Sequence, residues 1–506
     1  MQKINYNLIF VLFFIITSIL LHRKSYDMLP KGDFALQQSD HYALALGFLD
    51  NGFDFFHPSS FSLTHEFPPE ETLTNPQGIT AVDFPILHFS VAILMKIFDS
   101  KSPIIFRLVN LLWSFIAIWF FFRTIANIKG FWIALFLSGF IMFQPIYCHF
   151  QDGFHVSITA YNASLIGISY MIRHFIEGKD NFFLLGLLFL TLGALMRFTQ
   201  IILLMALLFS YMYLFVKKNR NVNKLIYVFI GIVLVLIYFA YNRYLFSNYG
   251  TIFLNSPRIA DSMKEFGLHF LKIAKVYLVE FIPLMHLFAL SLAIFLFIKT
   301  KNRNKSNLES LKIWLIFTII GAFIFSILMS FGLSVHDYYS LDIWLPVMTL
   351  MIVYFCLTID LKSTSNNWIK IFVIMFVIGS FSLAFEKQNH KYDSELVLKG
   401  ADLVINDFKR SADYLDSHIS SMDRVLIICH YGWNTPMIGW PRKSYRVANN
   451  YPEQIPLALQ KGPDLIITHD ATFIDTFANY PEFYSQVKYL NGNGKVSIWV
   501  LKTDKN

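Results

Sequence analysis

The chain reads as an all-α polytopic membrane protein closed by a small α/β domain at its carboxy-terminal end. Three observations predict this. Hydrophobic residues make up 55% of the 506 residues, charged residues only 15%, and 54 are phenylalanine; with a mean hydropathy of +0.49, that is far more apolar surface than a soluble domain can bury. Apolar segments of about 20 residues, the length that crosses a hydrocarbon core about 30 Å thick, recur from Ile4 to Phe385. Beyond Phe385 the composition turns polar and charged.

The first apolar segment, Ile4 to Leu21, is followed by His22-Arg23-Lys24 rather than by a small-residue cleavage site, so an uncleaved first helix is expected. The net charge of +8 lies in short runs between apolar segments, not on one face. These runs are topology signals for a chain whose partner is the lipid bilayer, and no nucleic-acid partner is expected. Lys217 to Lys224 and Lys299 to Lys305 are short positive loops that the positive-inside rule assigns to the cytoplasm, while Arg23 and Lys24 argue the other way. Phe182 to Val216 would run to about 50 Å as one helix. It is therefore expected to fold as a hairpin turning near Met196-Arg197-Phe198-Thr199, with Arg197 at the outer face. Alternate crossings then give about 11 to 13 transmembrane helices. Asp40, Asp152, Arg197, Arg258 and His336 all land outside. Ala81 to Phe98, interrupted by Asp83, Pro85, His88 and Lys96, is too short for a span and reads as a re-entrant or juxtamembrane helix.

The expected organisation is a transmembrane catalytic domain over residues 1–385, with its first outer loop at 23–104, and an extracytoplasmic α/β domain over 386–506. In the latter, Phe408, Ala412, Leu415 and Ile419 repeat at helical spacing within Leu396 to Ile419. Val425–Ile428, Asp464–Thr468 and Val496–Val500 read as strands. The three cysteines, Cys148, Cys356 and Cys429, give neither metal spacing nor a disulfide framework, which sets redox chemistry aside. His65-Glu66 lacks the second histidine of a zinc-protease helix. Gly492-Asn493-Gly494-Lys495 lacks the spacing of a phosphate loop.

The polar island Ser39-Asp40-His41-Tyr42-Ala43 stands in the first outer loop. Ser39 reads as an N-cap, with Asp40 in the first helical turn and Tyr42, Leu46 and Leu49 on one face, ending at Asp50-Asn51-Gly52. That is a short helix lying along the membrane. Two readings follow: Asp40 stabilises the helix N-terminus through the dipole, or it is a reactive carboxylate beside a lipid surface.

This opening, with Phe84-Pro85-Ile86-Leu87-His88 and Phe106-Arg107-Leu108, resembles the opening of GT-C-fold glycosyltransferases, in particular family 39, the protein O-mannosyltransferases and the aminoarabinose transferase of lipid A. Gln144-Pro145 with Gln151-Asp152, Leu195-Met196-Arg197-Phe198-Thr199, and His336-Asp337-Tyr338-Tyr339 leading to Leu345-Pro346 extend the resemblance over the first 385 residues or so. It implies that Asp40 is the catalytic aspartate. Where those enzymes usually continue with an acidic residue this chain has His41, and Asp83-Phe84 stands where a basic residue often precedes the Pro85 motif.

The chemistry asks for the same residue types. Sugar transfer from a polyprenyl phosphate needs a base for the acceptor hydroxyl, and Asp40 is the candidate. Charge develops on the departing lipid phosphate, which Arg197, Arg258 and His336 are candidates to stabilise. His41, Tyr42, Asp83, His88, Asp152, Tyr338 and Tyr339 complete the candidate donor and acceptor contacts. No Asp-x-Asp motif is present, so no cofactor is assured: a divalent metal is not indicated, though a lipid monophosphate donor leaves room for one. Since no second carboxylate is assigned as a nucleophile, a single displacement with inversion is expected.

Each residue also has a structural alternative. Arg197 snorkels to headgroups; His336 to Tyr339 form an interfacial aromatic belt; Asp152 is a solvated turn residue; Arg107 is structural; Asp83 and His88 cap and pack. The expected function is transfer of a sugar from a polyprenyl-phosphate donor to a cell-envelope glycan, lipid or protein, on the outer face of the cytoplasmic membrane. The competing classes are a lipid-linked-sugar transporter or flippase, whose polar groups sit near mid-membrane, and a glycan polymerase or ligase using a lipid diphosphate.

Overall fold

The computed structural model describes residues 6–31, 35–63, 77–218, 222–250, 260–276, 282–299, 308–336, 338–359, 367–393, 400–431, 434–448, 453–473 and 480–502. Among these, six helices are long and apolar enough to cross a membrane: Pro103–Lys129, Phe198–Lys217, Val222–Tyr249, Glu309–Leu328, Ser340–Thr358 and Asn367–Lys391. A seventh candidate is the pair Phe131–Met142 and Pro145–Gln151, bent by 69° at its break. The larger expected number also counts Tyr6–His22, Asp180–Met196 and Leu284–Lys299, of 17, 17 and 16 residues. At 1.5 Å per residue each is about 25 Å long, a few ångström short of the hydrocarbon core. Ile86–Ile97 has 12 residues, too few to span.

The chain divides into two compact units, and neither follows chain order. One comprises residues 1–26, 107–239 and 255–392; the other comprises 27–106, 240–254 and 393–506.

The first unit is helical. Burial ranks its candidate spans: the Ser340–Thr358 segment is 78% buried, whereas Asn367–Lys391 is 28% buried and leaves Ile371, Ile374, Met375 and Ile378 exposed. A helix with that much open apolar surface is suited to lipid, and one buried on nearly all sides to a bundle core. Inside, polar side chains of the Val156–Glu177 helix are satisfied by neighbouring helices: Asn162 with Tyr147 at 2.9 Å and Ser114 at 3.0 Å, Thr159 with Asn110 at 2.6 Å, Tyr161 with Thr349 at 2.7 Å. Such pairing is required where water cannot reach. The expected hairpin is present. Asp180–Met196 ends at Arg197, which is extended at φ −151°, and Phe198–Gln200 leads into Ile201–Lys218. The ends remote from Arg197 share one face, where Lys224 meets Asp180 at 2.8 Å and Lys217 meets Glu309 at 3.3 Å.

The second unit carries a five-stranded sheet: β1 (Val425–Cys429), β2 (Tyr445–Ala448), β3 (Leu465–His469), β4 (Val487–Gly492) and β5 (Val496–Leu501). Its order is β2-β1-β3-β5-β4, with β2, β1 and β3 parallel and β3-β5 and β5-β4 antiparallel. The expected Leu396 to Ile419 helix is two helices, Ala401–Arg410 and Ala412–His418, separated at Ser411, and its first residues lie outside the described ones. Gly492 to Lys495 is the β4-β5 turn, with Gly494 at φ +80°.

Within this unit the Ala35–Asp50 helix differs from the expectation in two ways. It starts four residues before Ser39, whose hydroxyl donates to the Ala35 carbonyl at 2.5 Å, so Ser39 is not the N-cap. A hydroxyl can bond the preceding turn in this way at mid-helix. It is also buried on more than one face, through Ala43, Leu44, Ala45 and Phe48 as well as Tyr42 and Leu46, so it packs within this unit and not by one stripe alone. The following loop runs beside the start of β2: the Ser444 amide donates to Phe61 and the Leu63 amide to Ser444, both at 3.0 Å. Gly47 lets that loop approach, since a Cβ there would lie 1.9 Å from the Ser59 carbonyl oxygen. Gly47→Ala is expected to destabilise the protein by about 1–3 kcal/mol, because backbone and not a flexible side chain must give way. A thermal midpoint in detergent equal to that of the parent would refute this packing account.

Candidate active site

Asp40 is the sixth residue of the Ala35–Asp50 helix and 9% exposed. The dipole reading loses its basis here, because that effect is confined to the first turn. The carboxylate is instead held by Asn434: Oδ1 accepts from the Asn434 side-chain amide at 2.9 Å and from its backbone N–H at 3.3 Å. Asn434 is fully buried and lies beyond the carboxyl end of β1, the edge where open α/β sheets carry their sites. Its own Oδ1 accepts from the Phe61 and Ser62 amides at 3.0 and 3.1 Å. Nothing in the sequence pointed to Asn434, a lone polar residue in a loop without periodicity.

The neighbouring His41 stacks on His88, with Nδ1 and Nε2 2.9 Å apart. Burial pushes the His88 imidazole down to about 3, so it is neutral. Its Nδ1 is buried without a partner. Tyr42 is buried, and its hydroxyl donates to the Lys101 carbonyl. Asp83 is half-buried beside Val82, whose carbonyl accepts from Asn242 at 2.6 Å. Also in this unit, a cavity of about 530 Å³ adjoins the end of the Asp40 helix, lined by Asp50, Asp54, His57, Tyr249 and Lys443.

In the helical unit Arg197, His336, Tyr338 and Tyr339 come together. Arg197 donates through Nε to Asp342 at 2.8 Å and lies over the rings of Tyr338 and Tyr339 at 4.9 and 5.4 Å. It is thus anchored by a carboxylate and two rings, which sets snorkelling aside. Tyr338 and Tyr339 are 4% and 3% exposed, so they are not a headgroup belt. His155 stacks on Tyr338 at 4.3 Å and His336 at 5.1 Å. Burial and the Arg197 charge push His336 down to about 4, so this residue is a neutral imidazole and not the expected cation. Asp342, which the sequence reading missed, lies in the π-helical turn Ser340–Trp344; such turns recur at functional sites.

Asp152 is fully buried, not a solvated turn residue. It pairs with His22 at 3.3 Å and Arg107 at 3.7 Å and accepts from Ser25. Arg107 also donates to the Asp152 carbonyl at 2.5 Å and covers Phe154, the structural role foreseen for it. Burial alone would raise the Asp152 carboxyl, but His22, Lys391 and Arg107 hold it well below the usual range. Arg258 lies outside the described residues, and no group of three or more His, Cys, Asp or Glu among the described residues is arranged to hold a metal ion.

Apolar helices of membrane length together with a small sheet are the parts of the GT-C glycosyltransferase fold, and the comparisons agree. A family model for dolichyl-phosphate-mannose-protein mannosyltransferase matches residues 83–244, a stretch that includes Asp83, His88, Asp152 and Arg197 but not Asp40. ArnT from Cupriavidus metallidurans bound to undecaprenyl phosphate superposes with a TM-score of 0.59 at 10% identity, covering 97% of each chain. AglB from Archaeoglobus fulgidus, in complex with an inhibitory peptide and a dolichol-phosphate, gives 0.52 at 9% identity over 99% of this chain and 75% of that one. The arabinofuranosyltransferase AftD from Mycobacteria gives 0.53 at 11% identity, over 98% of this chain and 40% of that one. No curated protein matches the chain by sequence. The resemblance carried by the sequence motifs is thus met in the fold.

Removing one partner of the Arg197–Asp342 pair leaves the other charge buried and alone. Asp342→Leu is expected to cost about 3–5 kcal/mol. Adding Arg197→Met should return most of it, read from unfolding in detergent; a single variant as stable as the parent would refute the pairing.

Proposed function

We propose that the chain is a membrane glycosyltransferase that moves a sugar from a polyprenyl-phosphate donor to a hydroxyl of a cell-envelope acceptor, with Asp40 as base. The observation that carries this reading is a carboxylate at mid-helix, nearly buried, oriented by two hydrogen bonds and too far from the helix end to serve its dipole, in a fold of which one relative holds undecaprenyl phosphate. In the reaction Asp40 takes the acceptor hydroxyl's proton and the freed oxygen attacks the anomeric carbon. The bond from that carbon to the phosphate oxygen breaks, and its electron pair leaves with the polyprenyl phosphate. A single displacement inverts the anomeric centre. In the helical unit Arg197, held by Asp342 and two rings, is the candidate cation for a lipid phosphate.

The lysine-bearing helix ends at Lys217 and Lys224 lie at the face remote from Arg197. By the positive-inside rule this supports a cytoplasmic location for those ends, and an outer location for Arg197 in the cytoplasmic membrane. The acceptor is a glycan, lipid or protein of the envelope.

Purified protein incubated with a polyprenyl-phosphate sugar and an envelope acceptor extract should release free polyprenyl phosphate and yield a product of inverted anomeric configuration. Asp40→Asn should stay folded and lose at least about 10³-fold in rate. Full turnover by that variant would reject Asp40 as base. An intact donor moved across proteoliposomes would favour a transporter, and a strict need for a lipid diphosphate a polymerase or ligase.

A further inference from the structure

We infer that Asn434, contributed by the carboxy-terminal α/β region, is the positioning residue for Asp40, so that the sheet is part of the catalytic apparatus and not only a cover or acceptor platform. This rests on the reading of Asp40 as base.

The argument follows from the two ends of one amide. The Asn434 carbonyl oxygen accepts from the Phe61 and Ser62 N–H groups at 3.0 and 3.1 Å. An amide oxygen has two lone pairs, and both are engaged. That settles the orientation of the amide: its NH₂ faces Asp40 Oδ1 at 2.9 Å. The backbone N–H of the same residue reaches the same oxygen at 3.3 Å. Asn434 is fully buried, and the loop that receives its carbonyl is tied at Ser62 to Ser444, immediately before β2. Every group that sets the rotation of the Asn434 side chain is therefore backbone, with no rotamer of its own to lose. Two donors on one carboxylate oxygen fix the plane of that group, and charge-assisted bonds of this kind are about twice as strong as neutral ones. A base must meet its proton within about 2.6–3.2 Å, so loss of this clamp acts on the rate and not on substrate affinity.

An isosteric change separates the two ends. Asn434→Asp keeps acceptor oxygens for Phe61 and Ser62 and the backbone N–H, but removes the side-chain donor to Asp40 and sets a like charge against it. The expected result is a fall in kcat of about 10- to 100-fold with KM for donor and acceptor unchanged, read at a temperature where the variant is folded, since a second buried carboxylate also lowers the thermal midpoint. Asn434→Ala should lose both ends, lowering the midpoint as well as kcat. If Asn434→Asp has the kcat of the parent, Asn434 only anchors the 61–62 loop and the inference fails. If instead Asp40→Asn is fully active, the base assignment fails first, whatever Asn434→Asp does.

Discussion

Taking a carboxylate out of water costs several kcal/mol unless charge or hydrogen-bond donors meet it, and this protein does so repeatedly. Asp40 is met by Asn434, 394 residues away in sequence, and Asp342 by Arg197, 145 residues away. Asp152 is met by His22 and Arg107. Each pairing requires distant segments to be in register before the polar group can be buried. The buried anions thus specify the fold as well as the chemistry, and removing one partner disturbs both at once.

The two units use different means. In the helical unit the cation is pre-set: Arg197 donates to Asp342 and lies against Tyr338 and Tyr339, so its charge is held in a fixed place. A group oriented before reaction stabilises developing charge at no further cost in reorganisation. In the other unit the carboxylate is fixed by a side-chain amide whose far end is held by backbone. The sheet matters because Asn434 follows β1, and β1 is the central member of the parallel set β2-β1-β3. The imidazole of His41, stacked on His88, stands directly after Asp40, where the enzymes that the sequence resembles usually have an acid.

Much of this was legible in the residues. Asp40 was singled out by the polar island around it and by the resemblance to GT-C enzymes, and the hairpin at Arg197 follows from length alone. The strands β1, β3 and β5 were visible as runs of β-branched and aromatic residues. β2 and β4 were not, since Tyr-Arg-Val-Ala and Val-Lys-Tyr-Leu-Asn-Gly carry polar residues suited to sheet edges. Ser39 looked like an N-cap because the helix was read outward from the polar island, whereas Ala35 to Gln38 already propagate it. Asp342 escaped notice because one acid in a long apolar window does not alter a hydropathy reading.

Sequence alone determined that this chain lives in a bilayer, that a mixed α/β region ends it, and that a few charges sit at the rims of its helices. Those properties are additive over neighbouring residues, through transfer free energy and periodicity. Tertiary structure decided which charges are buried, which histidines are neutral and which residue holds Asp40. These depend on local dielectric and on contacts between segments hundreds of residues apart, and neither is a sum over a window of sequence.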